Sequence, residues 1–181
     1  MPALPLLAIQ PIGRTTNMGD LNLFDVAIFK AGGLELGIGP QLTAPTAAND
    51  RTGTGKWQGG VAALAVAPQS WGLIGGLVTW QHSFAGSSNR STQNNLQAQP
   101  FFMYNLANGW YLRSTATWTW DIQAGTHYIP VGFGTGRAWR DKAGTTYNFF
   151  AEPQFTVVRE GAGVPHFQLF VGFNMQFPLK R

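Results

Sequence analysis

The chain has 181 residues, with 12 Lys plus Arg against 8 Asp plus Glu, 23 Gly, 13 Phe, 7 Trp and no Cys. Its charged fraction of 11% is well under the roughly 25% of an ordinary soluble domain, and no run of about eighteen apolar residues offers a membrane-spanning helix. The missing cysteine excludes disulfide scaffolds, catalytic thiols and thiolate metal sites, and a net charge of +4 without a Lys/Arg stripe gives no nucleic-acid footprint.

Length suits one domain over residues 1–181, with no linker, low-complexity tract or solenoid repeat. Met1 to Leu7 lacks the basic and long apolar regions of an export signal, so an exported protein of this sequence is expected to be a mature or truncated form. Turn signals then divide the chain into about ten segments, near the nine to eleven residues with which a tilted strand crosses a bilayer. The predicted spans are 3–12, 21–30, 34–46, 57–67, 71–85, 94–105, 110–123, 127–139, 146–158 and 166–177. Pro40, Pro100, Pro130 and Pro153 fall inside them, where each removes a ladder donor, so bulges or bends are expected there.

The last segment is the most explicit. Phe167, Leu169, Val171, Phe173, Met175 and Phe177 share one face, while Gln168, Phe170, Gly172, Asn174 and Gln176 share the other. Connections alternate in length: 14–20, 47–56, 86–93 and 159–165 are longer and polar, whereas 31–33, 68–70, 106–109 and 140–145 are shorter. Residues 124–126 form a tight turn that breaks the alternation. Trp71, Tyr104, Trp110, Trp139, Tyr147 and Phe177 gather at the short-loop ends, and Trp57, Trp80, Trp118, Trp120 and Tyr128 toward the long-loop ends. Low charge, alternation, loop asymmetry and two aromatic belts predict an antiparallel up-and-down transmembrane β-barrel of about ten strands, with twelve possible in a longer form.

With apolar positions outward, the predicted lumen lining is Glu35, Gln41, Gln97, Gln99, Arg113, Thr115, Thr117, Asp121, Glu152, Gln154, Gln168, Asn174 and Gln176. Asp25 is also expected inside, and Glu35, Arg113 and Glu152 are expected to form one interior ion-pair cluster that either plugs the barrel or gates it. Phe101, Met103 and Phe170 would add an apolar stripe. Gly132, Gly134 and Gly136 superficially suggest a phosphate loop, but strand sequence follows them instead of a helix N-terminus, so they are expected to make room for facing side chains.

Gly39-Pro40-Gln41 through Gly55-Lys56-Trp57-Gln58-Gly59-Gly60 carries a recognisable pattern. It continues in Gln99-Pro100-Phe101, Asn108-Gly109-Trp110-Tyr111-Leu112, Pro130-Val131-Gly132 with Gly134, Gly136 and Arg137, and the closing Phe167 to Pro178 strand. From about Asp20 onward this ordered set resembles the bacterial outer-membrane transporter family filed under the meta-pathway of phenol degradation, some members of which are labelled neuromedin U. The resemblance implies an exported β-barrel of the bacterial outer membrane that moves small, including aromatic, molecules, and it brings no catalytic residue and no cofactor. Members begin further upstream, which leaves ten against twelve strands open.

The leading expectation is therefore a non-enzymatic channel or carrier whose partners are outer-membrane lipid, lipopolysaccharide and a small solute, with no nucleic acid, no metal and an undetermined oligomeric state. An alternative is a lipid-modifying hydrolase or acyltransferase using His82, Ser83, Asp121, His127 and His166 near the outer rim. A third is a structural barrel whose Arg14, Arg51, Lys56 and Arg90 pair with lipopolysaccharide phosphates.

Overall fold

The computed structural model describes residues 18–161 and 163–178, so the predicted strand over 3–12 and Arg14 lie outside the described residues. The described chain is all-β. Its elements are β1 (Leu21–Phe24), β2 (Ala27–Ala31), β3 (Leu34–Ala44), β4 (Lys56–Gln69), β5 (Gly72–Gly86), β6 (Asn94–Asn105), β7 (Trp110–Ser114), β8 (Trp118–Asp121), β9 (Thr126–Gly132), β10 (Gly134–Arg140), β11 (Thr146–Glu160) and β12 (Phe167–Gln176). A single 3-10 turn, Ala107–Gly109, precedes β7.

These twelve segments form one antiparallel sheet. β1 and β2 both pair with β3, β7 and β8 both pair with β6, and β9 and β10 both pair with β11. Each of those three couples is one strand with an interruption, so the chain is a nine-strand meander in which every strand hydrogen-bonds its neighbour in sequence. The nine strands coincide with nine predicted spans, their ends shifted by at most two residues. Among the described residues no ladder joins β12 to β1 or β2.

The interruptions have one cause. Proline has no N–H, so the strand beside it loses a ladder bond. The β1/β2 break at Asp25 lies opposite Pro40, whose carbonyl accepts the Asp25 N–H at 3.2 Å. The β9/β10 break at Phe133 lies opposite Pro153 in the same way, at 3.3 Å. The gap between β7 and β8, residues 115–117, is flanked by Pro100 on one neighbour and Pro130 on the other. A bulge at Thr156/Val158 also adjoins Pro130. The expected distortions exist, but most of them fall on the strand that faces the proline.

Cross-strand register assigns every side chain to one of two faces. One face carries Ile38, Leu42, Trp57, Val61, Val78, Val131, Phe149, Phe155, Phe167, Leu169 and Phe173, all exposed. The other carries Gln41, Thr43, Gln58, Thr79, Ser83, Arg113, Thr115, Glu152 and Gln154, all buried. Phe173 is 57% exposed while Glu152 is 0% exposed, the reverse of the distribution that water imposes on a soluble domain. A sheet folded in water would collapse its phenylalanines together; this one covers its glutamines.

The first strand departs from expectation. Pairing of Phe24 with Gln41 and of Ile28 with Gly37 puts Phe24, Val26 and Ile28 on the polar face, and sets Asp25 opposite Pro40 on the apolar face instead of inside. Gly39 supplies the room, since a Cβ there would lie within 3.0 Å of the Asp25 carbonyl and of the Val26 Cα, whereas one at Gly37 would make only ordinary contact with Ile28 and Val26. Tyr128 is corrected likewise: it pairs with Thr119 on the polar face and does not join the outer aromatic belt.

The two ends of the meander differ. At one end lie the tight connections at Gly32–Gly33, 70–71, 106–109 and 141–145, with Gly32 and Gly33 at φ 58 and 86, a left-handed pair suited to a two-residue hairpin. Longer links over 45–55, 87–93 and 161–166 lie at the other end, with the short 122–125 turn among them. Aromatic rings stack at the short-loop end, Trp71 on Tyr104 at 5.9 Å and Trp139 on Tyr147 at 5.6 Å.

Two glycines, Gly134 on the polar face and Gly76 on the apolar face, offer a direct check of this packing. A Cβ at Gly134 would come within 3.0 Å of the Ala151 carbonyl and of Glu152, whereas one at Gly76 would meet only the Gln99 carbonyl at 3.7 Å. Gly134→Ala is expected to destabilise the folded protein by about 1–3 kcal/mol and Gly76→Ala by less than about 0.5 kcal/mol, compared by urea unfolding.

Candidate functional site

The polar face is the candidate site, and its centre is built on a trough. β10 and the end of β9 present Gly132, Gly134 and Gly136 in a file on this face, flanked by β7 on one side and β11 on the other. With no side chains on the middle strand, groups from strands two apart can meet over it. Arg113 of β7 reaches across to Glu152 of β11, Nε to Oε2 at 2.8 Å. One residue pair further along, the Tyr111 hydroxyl donates to Asn148 Oδ1 at 2.7 Å over Gly136. The glycine file thus makes room for facing side chains, as its sequence context suggests.

Glu152 is fully satisfied. Besides Arg113 it accepts from the Thr115 N–H at 2.8 Å, the Thr115 hydroxyl at 2.7 Å and Gln154 Nε2 at 3.1 Å. The Thr115 N–H belongs to the stretch between β7 and β8 where Pro130 interrupts the ladder, so the carboxylate serves a backbone donor that the neighbouring strand leaves open. Arg113 Nη2 donates to Thr115 Oγ1 at 2.6 Å, and its guanidinium carbon sits 3.7 Å from the centre of the Phe150 ring and 5.4 Å from that of Phe170. Phe150 in turn occupies the space that Gly172 of β12 leaves. A buried pair of this kind is held by its hydrogen bonds as much as by its charges, because both ions have left water.

Glu35 does not join this cluster. It faces its cross-strand partner Lys30 at 3.6 Å, near the short-loop end of β2 and β3. The ion-pair expectation therefore holds for Arg113 with Glu152 and is corrected for Glu35, whose strand lies several strands away in the meander.

A second network repeats the trough motif with neutral groups. Gly60 of β4 lies between Gln41 of β3 and Gln81 of β5, and Thr43 Oγ1 donates to Gln81 Oε1 at 2.6 Å across β4. Asn22 Nδ2 donates to Thr43 Oγ1 at 2.7 Å, and Asn22 Oδ1 accepts from Gln41 Nε2 at 3.0 Å.

The other predicted lining residues all fall on this face. Gln99 donates to the Thr115 carbonyl at 2.9 Å, Gln97 pairs with Thr119, and Thr117 belongs to the interrupted stretch. Asp121 lies opposite Asn95 and Thr126 near the long-loop end. Gln168, Asn174 and Gln176 sit opposite Gln154, Asn148 and Thr146 on β11. Phe101, Met103 and Phe170 share the face as expected. Sequence reasoning missed Asn22, Gln58, Gln81, Tyr111, Tyr128 and Asn148. For Gln58 and Gln81 the period-two pattern of the adjoining strand held the signal; for Tyr128 an aromatic looked like belt.

The candidate triad does not assemble. His82 and Ser83 are sequence neighbours on opposite faces, and Ser83 Oγ accepts the Gln93 N–H at 2.9 Å. His127 is on the apolar side with Glu160 at 3.7 Å, while Asp121 is on the polar side. Among the described residues there is no cluster of three or more His, Asp or Glu suited to a metal ion. Arg90 directs its guanidinium to the carbonyls of Asp50 at 2.6 Å, Gly53 at 2.5 Å and Thr54 at 3.2 Å, tying the 45–55 and 87–93 loops together, so these donors are already used within the protein.

Removing one partner of the buried pair strands the other. Arg113→Met is expected to cost about 3–5 kcal/mol of stability, and the double variant Arg113→Met/Glu152→Met less than the two single changes combined, in a denaturant double-mutant cycle. Comparison of the chain with models of protein families, with characterised proteins and with solved structures found no match.

Proposed function

We propose that this chain forms the wall of an outer-membrane β-barrel that admits small molecules along its polar face. The observation that carries the reading is the inverted burial: exposed aromatic and branched side chains over one whole face, and buried Gln, Thr, Arg and Glu over the other. Lipid is the solvent that this outer face suits, and water or hydrogen-bonded side chains suit the inner one. The sequence-predicted strand over 3–12 would raise the nine described strands to ten, the even number common in bacterial barrels. Loop asymmetry points the short-loop end toward the periplasm, and the family resemblance agrees in kind.

The geometry favours a narrow passage over a wide one. Arg113, Glu152, Thr115 and Phe150 crowd the polar face at mid-strand, and an interior of about ten strands lies between the filled eight-strand barrels and the open porins. Such a constriction passes solutes of one ring or a few carbons and turns away larger ones.

Two measurements test the reading. Val171→Arg, in the middle of the exposed face of β12, is expected to destabilise the membrane-inserted protein by about 2–4 kcal/mol, while Gln168→Arg on the polar face leaves insertion intact. Folded wild-type protein in liposomes is expected to permit swelling in arabinose and not in a large oligosaccharide. Equal tolerance of the two arginines would overturn the membrane orientation, and absent swelling with protein shown to be inserted would overturn the channel.

A further inference from the structure

Near the long-loop end, the polar faces of β6, β8 and β9 make a small grid. Asn95, Asp121 and Thr126 form one cross-strand row, and Gln97, Thr119 and Tyr128 form the next. A cavity of about 260 Å³ opens on this grid, walled by Asn95, Thr119, Asp121 and Tyr128 and, from the β11–β12 connection, by Val164 and Pro165.

The polar groups around the cavity are unbalanced. Asp121 Oδ1 accepts the Ala124 N–H at 2.9 Å, but among the described residues Oδ2 has no hydrogen-bond donor and the carboxylate has no ion-pair partner. Thr119 Oγ1 is buried and likewise without a partner among them. Both belong to the same strand two residues apart, so both point to the same side. Cations near in register are engaged elsewhere. Arg159, opposite Tyr128, lies outside the cavity lining and contacts His166, and His127, which does line the cavity, has its Nδ1 3.7 Å from the Glu160 carboxylate.

A guest that completes this arrangement must bring hydrogen-bond donors and positive charge to Asp121, and an apolar body to Val164, Pro165 and the Tyr128 ring. At about 260 Å³ the space is just below the usual range of about 300–1,000 Å³ for drug-sized ligands, which limits the body to about one ring. The protein as a whole carries a net charge of +4, so a cation would be drawn by this site and not by the molecule at large. We propose that the cavity is a binding site for a small organic ammonium, a primary amine on a single-ring or short-chain body. The inference rests on the polar face being a solute-accessible wall and names the class of solute it would hold.

The test is titration calorimetry of detergent-folded protein with benzylamine, benzyl alcohol and benzoate. Benzylamine is expected to bind saturably at one site, at least about tenfold more tightly than benzyl alcohol, as a charge-assisted hydrogen bond in place of a neutral one requires. Benzoate is expected not to bind. Asp121→Asn keeps an oxygen for the Ala124 N–H and removes the charge, so its benzylamine affinity should fall to that for benzyl alcohol. Thr119→Val, close in shape, should weaken benzylamine by about threefold to tenfold through one lost hydrogen bond. No saturable benzylamine binding by folded wild-type protein, unchanged affinity in Asp121→Asn, or tighter binding of benzoate than of benzylamine would overturn the site. Should the Asn variant not fold, the three-probe comparison and the Val variant decide alone. Arabinose swelling separates the two readings: a protein that swells liposomes but ignores the amine loses only this site, and one that binds the amine but admits no solute loses only the channel.

Discussion

The reach of Arg113 across β10 to Glu152 is the contact on which the polar face is organised. Adjacent strands lie about 4.8 Å apart, so side chains two strands apart start roughly twice that distance from one another. Two long side chains can close it only if nothing stands between them, and Gly132, Gly134 and Gly136 leave that space. Once closed, the pair anchors Thr115 through its N–H and its hydroxyl, holds Gln154, and seats Phe150 against the guanidinium. Charge burial, backbone satisfaction and aromatic packing are thus one unit. Its members come from β7, β11 and the interrupted stretch after β7, and it ties together three consecutive long strands.

The prolines and this unit complement each other. A strand paired on both sides has no free edge on which a missing N–H goes unnoticed, so each internal proline opens a hole in a ladder. Beside Pro40 and Pro153 the hole is small, because the proline carbonyl still accepts the partner N–H. Between Pro100 and Pro130 both neighbours lack a donor, and three residues drop out of the ladder. The Glu152 carboxylate does not replace those donors; it accepts the Thr115 N–H at the start of this stretch. On the apolar side of the same region a cavity of about 230 Å³ opens between Phe102, Ala116, Trp118 and Pro130.

Much of this was legible from residues alone. β12 writes its two faces in strict alternation, and the polar positions assigned inward from the sequence share the face of the buried Glu152 and Gln154, with Asp25 the exception. The periodicity works because one side is exposed and apolar and the other buried and polar, and each residue type then reports its side. It fails where both neighbours in the alternation are apolar. In β1 and β2 the rival sets were Leu23 with Ala27 and Phe24 with Ile28, and the choice was settled by glycines on β3 that no local pattern reveals. It fails also for charges that belong together by depth and not by neighbourhood: Glu35 looked level with Arg113, yet Lys30 sits directly opposite it. Loop contacts such as Arg90 with the carbonyls of Asp50, Gly53 and Thr54 carry no periodic signal at all.

The skipped-strand tie also bears on the order in which the sheet can be assembled. Arg113 and Glu152 are 39 residues apart, and β8, β9 and β10 are made between them. In the membrane barrel proposed above, hairpins added one at a time would carry the guanidinium through an apolar setting before its carboxylate had arrived. The charge itself therefore favours delivery of this region as a block, with β7 through β11 brought together while still in contact with water and moved inward as one piece.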